Sequence, residues 1–107
     1  MDNCRKEVNG MLTSKQRSYL RRMANQIDSI FQIGKGGINA NLIKQLDDAL
    51  EARELVKVHV LQNAEMDIKD IFKELARELS AQEVQLIGSR FVLYRKSTKN
   101  PKIELPN

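Results

Sequence analysis

The stretch Ile33-Gly34-Lys35-Gly36-Gly37-Ile38-Asn39 constrains this chain more than any other. Three glycines surround one lysine, with an apolar run before them and an amphipathic segment after. Glycine admits left-handed backbone and lets another chain segment come close, so Gly34 ends the strand that precedes it. Asn39 is a good N-cap and starts a helix. Strand, tight loop and helix therefore follow one another here. A helix that begins just after such a loop aims unbonded N–H groups and the positive end of its dipole at the loop. Lys35 adds a mobile charge at the tip. This is an arrangement for holding a phosphate, of a nucleotide, a metabolite or a nucleic acid backbone.

The flanking sequence supplies the rest of the fold. Thr13-Ser14-Lys15-Gln16 resembles a capping box, and Leu20, Met23, Ala24 and Ile27 follow at helical spacing up to a break at Asp28-Ser29. Residues 29–33 read as a short strand. After the loop, Leu42, Ile43, Leu46, Ala49 and Leu50 form the buried stripe of a second helix. In residues 55–61, Val56, Val58 and Val60 share a core face, and Leu55, Lys57, His59 and Leu61 share a face that is at least partly wet. Asn63-Ala64-Glu65 is expected to cap a third helix carrying Ile68, Ile71, Phe72, Leu75, Ala76 and Leu79. Ser80-Ala81 ends it. A third strand over residues 84–87 and a fourth over 91–94 are joined by the turn Gly88-Ser89. The fourth is apolar throughout, which places it inside the sheet, covered on both faces. The order α-β-α-β-α-β-β predicts an α/β fold in two layers, with the helices on one side of a mixed four-stranded sheet. Residues 1–10 are expected to be a flexible leader and 11–107 a single domain.

Composition excludes several classes. With 41% hydrophobic and 30% charged residues, neither a disordered chain nor a membrane protein is suggested. No apolar run approaches the length of a membrane span, and the N-terminus lacks the apolar core of a signal peptide. The lone cysteine, Cys4, cannot form an internal disulfide, and a cytoplasmic location is expected. The net charge of +4 is unevenly spread. Residues 11–46 hold six bases against one acid, residues 47–83 ten acids against five bases, and residues 84–107 five bases against one acid. A segregated basic region is the electrostatic footprint of a nucleic acid binder. The first helix carries Lys15, Arg17, Arg21 and Arg22, with no acid between Glu7 and Asp28. Like charges on one helix repel, so a bare basic face points to an anion outside the chain.

Catalytic signatures are missing. The glycine loop does not match the nucleotide P-loop, in which Gly-Lys is followed by Ser or Thr, nor Gly-x-Gly-x-x-Gly, because Asn39 ends the run. His59 is the only histidine and has no second ligand at metal spacing, so neither a metal nor a cofactor is expected. No nucleophile–histidine pair stands at a recognisable spacing, and neither an enzymatic activity nor a small-molecule substrate is expected. Gly34-Lys35-Gly36-Gly37 does fit Gly-x-x-Gly, which KH domains use to clamp nucleic acid backbone. Tyr19, Phe31, Phe72, Phe91 and Tyr94 fall mostly on core stripes, which favours backbone and shape readout over stacking on aromatic rings.

Four ordered blocks carry a family resemblance: Leu12-Thr13-x-Lys15-Gln16-Arg17-x-Tyr19-Leu20-Arg21, Gln32-Ile33-Gly34-Lys35-Gly36-Gly37, Ala49-Leu50-Glu51-Ala52-Arg53-Glu54-Leu55-Val56-Lys57-Val58, and Ile87-Gly88 with Val92-Leu93-Tyr94-Arg95. From Leu12 to about Leu105 the chain resembles the YhbY family, single-domain bacterial members of the CRM (chloroplast RNA splicing and ribosome maturation) domain. The resemblance implies a fold like the C-terminal domain of the third bacterial translation initiation factor. It also implies RNA binding without catalysis and association with large ribosomal subunit precursors. The RNA contacts it implies fall on Gly34, Lys35, Gly36 and Gly37 with the basic first helix, Lys15, Arg17, Arg21 and Arg22; Asn39, Lys44, Arg90 and Arg95 are further candidates. A monomer acting on ribosomal RNA is expected. The alternative is an adaptor that binds a basic protein through the acidic middle, 47–54 and 65–83. A phosphate-metabolite enzyme is a third reading, and it needs a general base within reach of the loop.

Overall fold

The structure is a computed structural model and describes residues 12–99 together with 101, 103 and 105. The expected leader, Cys4 and Lys102 lie outside these residues. Three helices and four strands follow the expected order: α1 (Ser14–Ala24), β1 (Phe31–Ile33), α2 (Ala40–Arg53), β2 (Leu55–Val60), α3 (Ile68–Leu79), β3 (Gln82–Ile87) and β4 (Arg90–Tyr94). The capping box at α1 is complete. Thr13 Oγ1 accepts from the Gln16 N–H at 3.1 Å, and Gln16 Oε1 accepts from the Thr13 N–H at 3.1 Å. Asn39 caps α2, its Oδ1 accepting from the Leu42 N–H at 2.9 Å. The third helix starts later than expected, at Ile68, with Asp67 at its N-cap. Asn63 does not cap it; its side-chain amide lies against Gly34.

The sheet runs β1-β2-β4-β3. β1 and β2 are parallel, and β4 is antiparallel to both β2 and β3. The apolar run of β4 occupies an interior position, where Phe91, Val92, Leu93 and Tyr94 are all buried. Because β4 inserts between them, β2 and β3 keep the parallel sense that the intervening helix dictates without being neighbours.

The layering differs from the two-layer expectation. Val56, Val58, Val60, Phe91 and Leu93 pack against Leu42, Leu46 and Leu50 of α2 and Ile71, Phe72, Leu75 and Leu79 of α3. The rings of Phe72 and Phe91 are 5.0 Å apart in a tilted pair. The other sheet face carries a second core of Leu55, Val84, Val92 and Tyr94, and α1 covers it with Leu20 and Ala24, joined by Leu12. The chain thus forms three layers, with α1 alone on one side of the sheet. Burying four apolar side chains on that face outweighs leaving it wet, since each is worth about 1.5–3 kcal/mol when removed from water. Lys57, read as a wet residue, fastens this helix: its Nζ donates to the carbonyls of Ala24 at 3.2 Å and Ile27 at 3.4 Å.

The segment after β4 is clasped by two carboxylates. Glu54 is buried in left-handed backbone at φ 68° between α2 and β2. Its carboxylate accepts from the N–H of Ser97 at 2.8 Å and of Ile103 at 2.6 Å. Glu51 accepts from the Ser97 hydroxyl at 2.7 Å and from the N–H groups of Thr98 at 3.1 Å and Lys99 at 3.0 Å. The Ser97 hydroxyl, then the Lys99 N–H, hold the Glu51 carboxyl below its ordinary pKa. Since the folded value is lowered, this contribution is present above the unfolded pKa and is lost as pH falls through the folded one. In an acid titration followed by NMR, the amide resonances of Ser97, Thr98 and Lys99 are expected to move together at a midpoint below that of a free glutamate. A midpoint at the free-glutamate value would mean that the clasp is open in solution.

Candidate nucleic-acid interface

The glycine loop leaves the C-terminal end of β1 and feeds α2. Two of its glycines answer to the fold. A Cβ on Gly34 would stand 3.2 Å from Asn63 Oδ1, a closer approach than the neighbour accepts without moving. Gly37 sits at φ +63°, where other residues are strained, and its N–H donates to the Gly34 carbonyl at 3.0 Å to close the turn. Gly36 differs from both: a Cβ there meets nothing within 4 Å, and the residue is exposed. Beside it opens a cleft of about 220 Å³ whose lining includes Gln32, Gly34, Gly36, Gly37, Asn39 and Asn41. Lys35 is exposed at the tip. The first turn of α2 contains no acidic residue, so its dipole is uncompensated where it faces the loop. Lys44 lies one turn along and forms an exposed ion pair with Asp48 at 3.6 Å, a contact weak enough to exchange for another anion.

Arg90 belongs to the same end of the sheet. The Leu61 N–H donates to the Ile33 carbonyl at 2.8 Å, and the Val60 N–H to the Ser89 carbonyl at 2.7 Å. The loop and the 88–89 turn therefore flank one strand end. Arg90 is exposed, and its Nε donates to Ser29 Oγ at 3.2 Å.

The basic residues of α1 lie on the opposite sheet face from α2. Lys15, Arg21 and Arg22 are exposed there. Arg21 and Arg22 stand in the last turn, where cations complement the helix dipole, so part of their benefit is internal. Arg17 is half-buried, and its Nε is buried with no hydrogen-bond partner among the described residues.

Arg95 is placed differently. Only 20% of its side chain is exposed. Nη1 donates to Asp47 Oδ1 at 2.6 Å and to the Leu79 carbonyl at 3.0 Å, and Nη2 donates to the Asp47 carbonyl at 3.0 Å. Its guanidinium joins α2 to the end of α3. Three acids of the middle segment, Asp47, Glu51 and Glu54, thus face the chain's own Arg95, Ser97, Thr98, Lys99 and Ile103 rather than an outside partner. Spacing along the sequence carried no sign of these pairings, which join residues more than forty positions apart. Among the described residues no three His, Cys, Asp or Glu side chains are grouped to hold a metal ion, and no helix is long and apolar enough to cross a membrane.

Comparison with known proteins agrees with this architecture. The chain is 53% identical over 96 residues to the probable RNA-binding protein YqeI of Bacillus subtilis, covering 90% of this chain and all of that one. It is 34% identical over 96 residues to an RNA-binding protein of Haemophilus influenzae, covering 89% and 95% of the two chains. The solution structure of the hypothetical protein SAV1595 from Staphylococcus aureus, described as a candidate RNA-binding protein, superposes with a TM-score of 0.74 at 58% identity, over 90% of this chain and all of that one. The family model described as the CRS1/YhbY (CRM) domain matches residues 12–95, all seven helices and strands included, and the chain belongs to that family.

Proposed function

We propose that this protein binds RNA without catalysing a reaction on it, and that it docks on ribosomal RNA in precursors of the large ribosomal subunit. Two relatives that match nearly its whole length are named for RNA binding. The observation that carries the mechanism is Gly36. The fold asks nothing of its missing side chain, yet it stands beside Lys35 at the mouth of a cleft on the uncompensated start of a helix. An RNA backbone passing that point meets the Lys35 ammonium and N–H groups of α2, while a side chain at 36 would hold it away. Arg90 extends the contact along the sheet end, and Lys15, Arg21 and Arg22 extend it along α1. Asn39 positions the helix start, Lys44 offers a further charge, and Arg95 serves the fold. The family resemblance supports the ribosomal target, and on this reading the chain acts as a monomer in the cytoplasm.

Gly36→Ala separates this role from a structural one. It is expected to leave thermal stability within about 0.5 kcal/mol of wild type and to weaken RNA binding severalfold. Gly37→Ala, forced into left-handed backbone, is expected to cost about 1 kcal/mol of stability as well. Thermal melts and fluorescence-anisotropy titrations with a ribosomal RNA fragment measure both. Equal RNA affinity in wild type and Gly36→Ala would remove the loop from the interface. For the target, crosslinking in cells followed by fragment mapping is expected to return large-subunit ribosomal RNA. Fragments spread over messenger RNAs with none from that RNA would overturn the ribosomal assignment.

A further inference from the structure

One face of the sheet stays open beyond the end of α1. Strand register defines it: Lys57 pairs with Val92 and Val92 with Gln85, then His59 with Arg90 and Arg90 with Ile87. Side chains alternate along a strand, so both rows lie on the face that α1 covers farther along, at Leu55 and Tyr94. α1 stops at Ala24, and its capping residue Asn25 forms one wall of a cavity of about 160 Å³. Lys57, Gln85, Ile87, Arg90 and Val92 form the remainder. Ile87 is 63% exposed at this strand end, the most exposed of the large hydrophobic residues among those described.

We infer that this open face receives one unpaired base of a bound single-stranded RNA segment. Ile87, exposed at the rim, offers an apolar bed for the flat ring, and the buried Val92 forms the floor beneath it. The carboxamides of Asn25 and Gln85 each carry donors and an acceptor, the complement of a base edge. Arg90 keeps its terminal guanidinium nitrogens, and Lys57 keeps the third of its N–H bonds, for the neighbouring phosphate or the ring. None of the six lining side chains is acidic. RNA is read in this way where its bases are splayed out of the stack, and a cavity below the roughly 300–1,000 Å³ of pockets that enclose whole ligands suits one ring. Its wall residue Asn25 caps the helix whose last turn carries Arg21 and Arg22, and Arg90 stands at the loop end of the sheet, so the cavity has cations on the elements to either side. It adds base selection to a surface whose other contacts are to backbone, and it rests on the RNA-binding reading above.

The test is equilibrium binding of the full chain to fluorescein-labelled oligoadenylate, oligocytidylate and oligouridylate of equal length. Wild type is expected to prefer one of them by at least about fivefold, the lower end for a base edge read by two hydrogen bonds. Gln85→Ala and, separately, Ile87→Ser are expected to bring that ratio towards one. Ile87 is exposed, so its variant keeps the fold even if the half-buried Gln85 proves sensitive. Lys35→Ala is expected to weaken all three complexes alike and to leave the ratio in place. Equal affinity of wild type for the three, or a ratio that survives both sheet-face substitutions, overturns the inference. An unchanged affinity in Lys35→Ala with the ratio lost in Gln85→Ala supports this site while removing the loop. Absence of binding to every RNA tried, ribosomal fragments included, overturns both readings.

Discussion

Replacing Lys35, Arg21 and Arg22 together by alanine is expected to lower affinity for a ribosomal RNA fragment by roughly a hundredfold, from about 1 kcal/mol per exposed cation–phosphate contact. All three side chains are exposed. None of them lies in the buried cores, so the fold stays intact. The loss is expected to be similar for different RNA sequences, because phosphates carry no sequence information. The slope of log affinity against log salt is expected to fall by about two to three, since each lost contact releases about one counterion fewer. Titrations at several salt concentrations measure slope and affinity together. An unchanged slope would mean that these cations do not meet phosphate, whatever the affinity does. Lys35→Ala against Arg21→Ala/Arg22→Ala apportions the effect between the two sheet faces. If only one of these two variants loses binding, RNA follows one face and does not wrap the sheet end.

Glu54→Ala is expected to be the most damaging single substitution outside the apolar cores, at about 3 kcal/mol. The buried carboxylate accepts from two backbone N–H groups, of Ser97 and Ile103. Each donor left unsatisfied costs about 1–3 kcal/mol. Alanine also keeps the left-handed strain at φ 68°. Glu54→Gly removes that strain and is expected to recover about 1 kcal/mol of the loss. For a domain of this size, a 3 kcal/mol loss lowers the melting temperature by roughly 12–24 °C. Urea unfolding followed by circular dichroism gives the two free energies. If Glu54→Ala unfolds within about 0.5 kcal/mol of wild type, the clasp contributes nothing to stability. RNA affinity measured where both variants remain folded is expected to be unchanged, because the carboxylate lies inside the fold.

Local chemistry sufficed for a large part of this molecule. The capping box at Thr13 and Gln16, the Asn39 cap and the sequence of helices and strands each depend on residues a few positions apart, and each was legible in the chain. The continuous apolar run of β4 announced an interior strand for the same reason: burial on both faces removes alternation. The glycine loop was legible as a loop, but not the different task of each glycine. Gly34 answers to Asn63, whose place beside it exists only once β1 and β2 are paired.

What only tertiary structure decided was the partner of each long-range group. Which sheet face α1 covers depends on how much apolar surface α2 and α3 leave uncovered, a property of the assembled sheet. Lys57 looked wet because its strand alternates, and it became a fastener when α1 brought two carbonyls to it. Arg95 looked like another free cation in a basic tail, and Asp47, Glu51 and Glu54 like an acidic surface. Their pairing crosses more than forty residues, and charge attracts charge without regard to sequence spacing, so no local pattern records it. The sequence by itself thus determined the elements, their order and the glycine loop between β1 and α2. Tertiary structure decided which charges remain free to meet an outside anion, because that depends on which of them the fold has already neutralised.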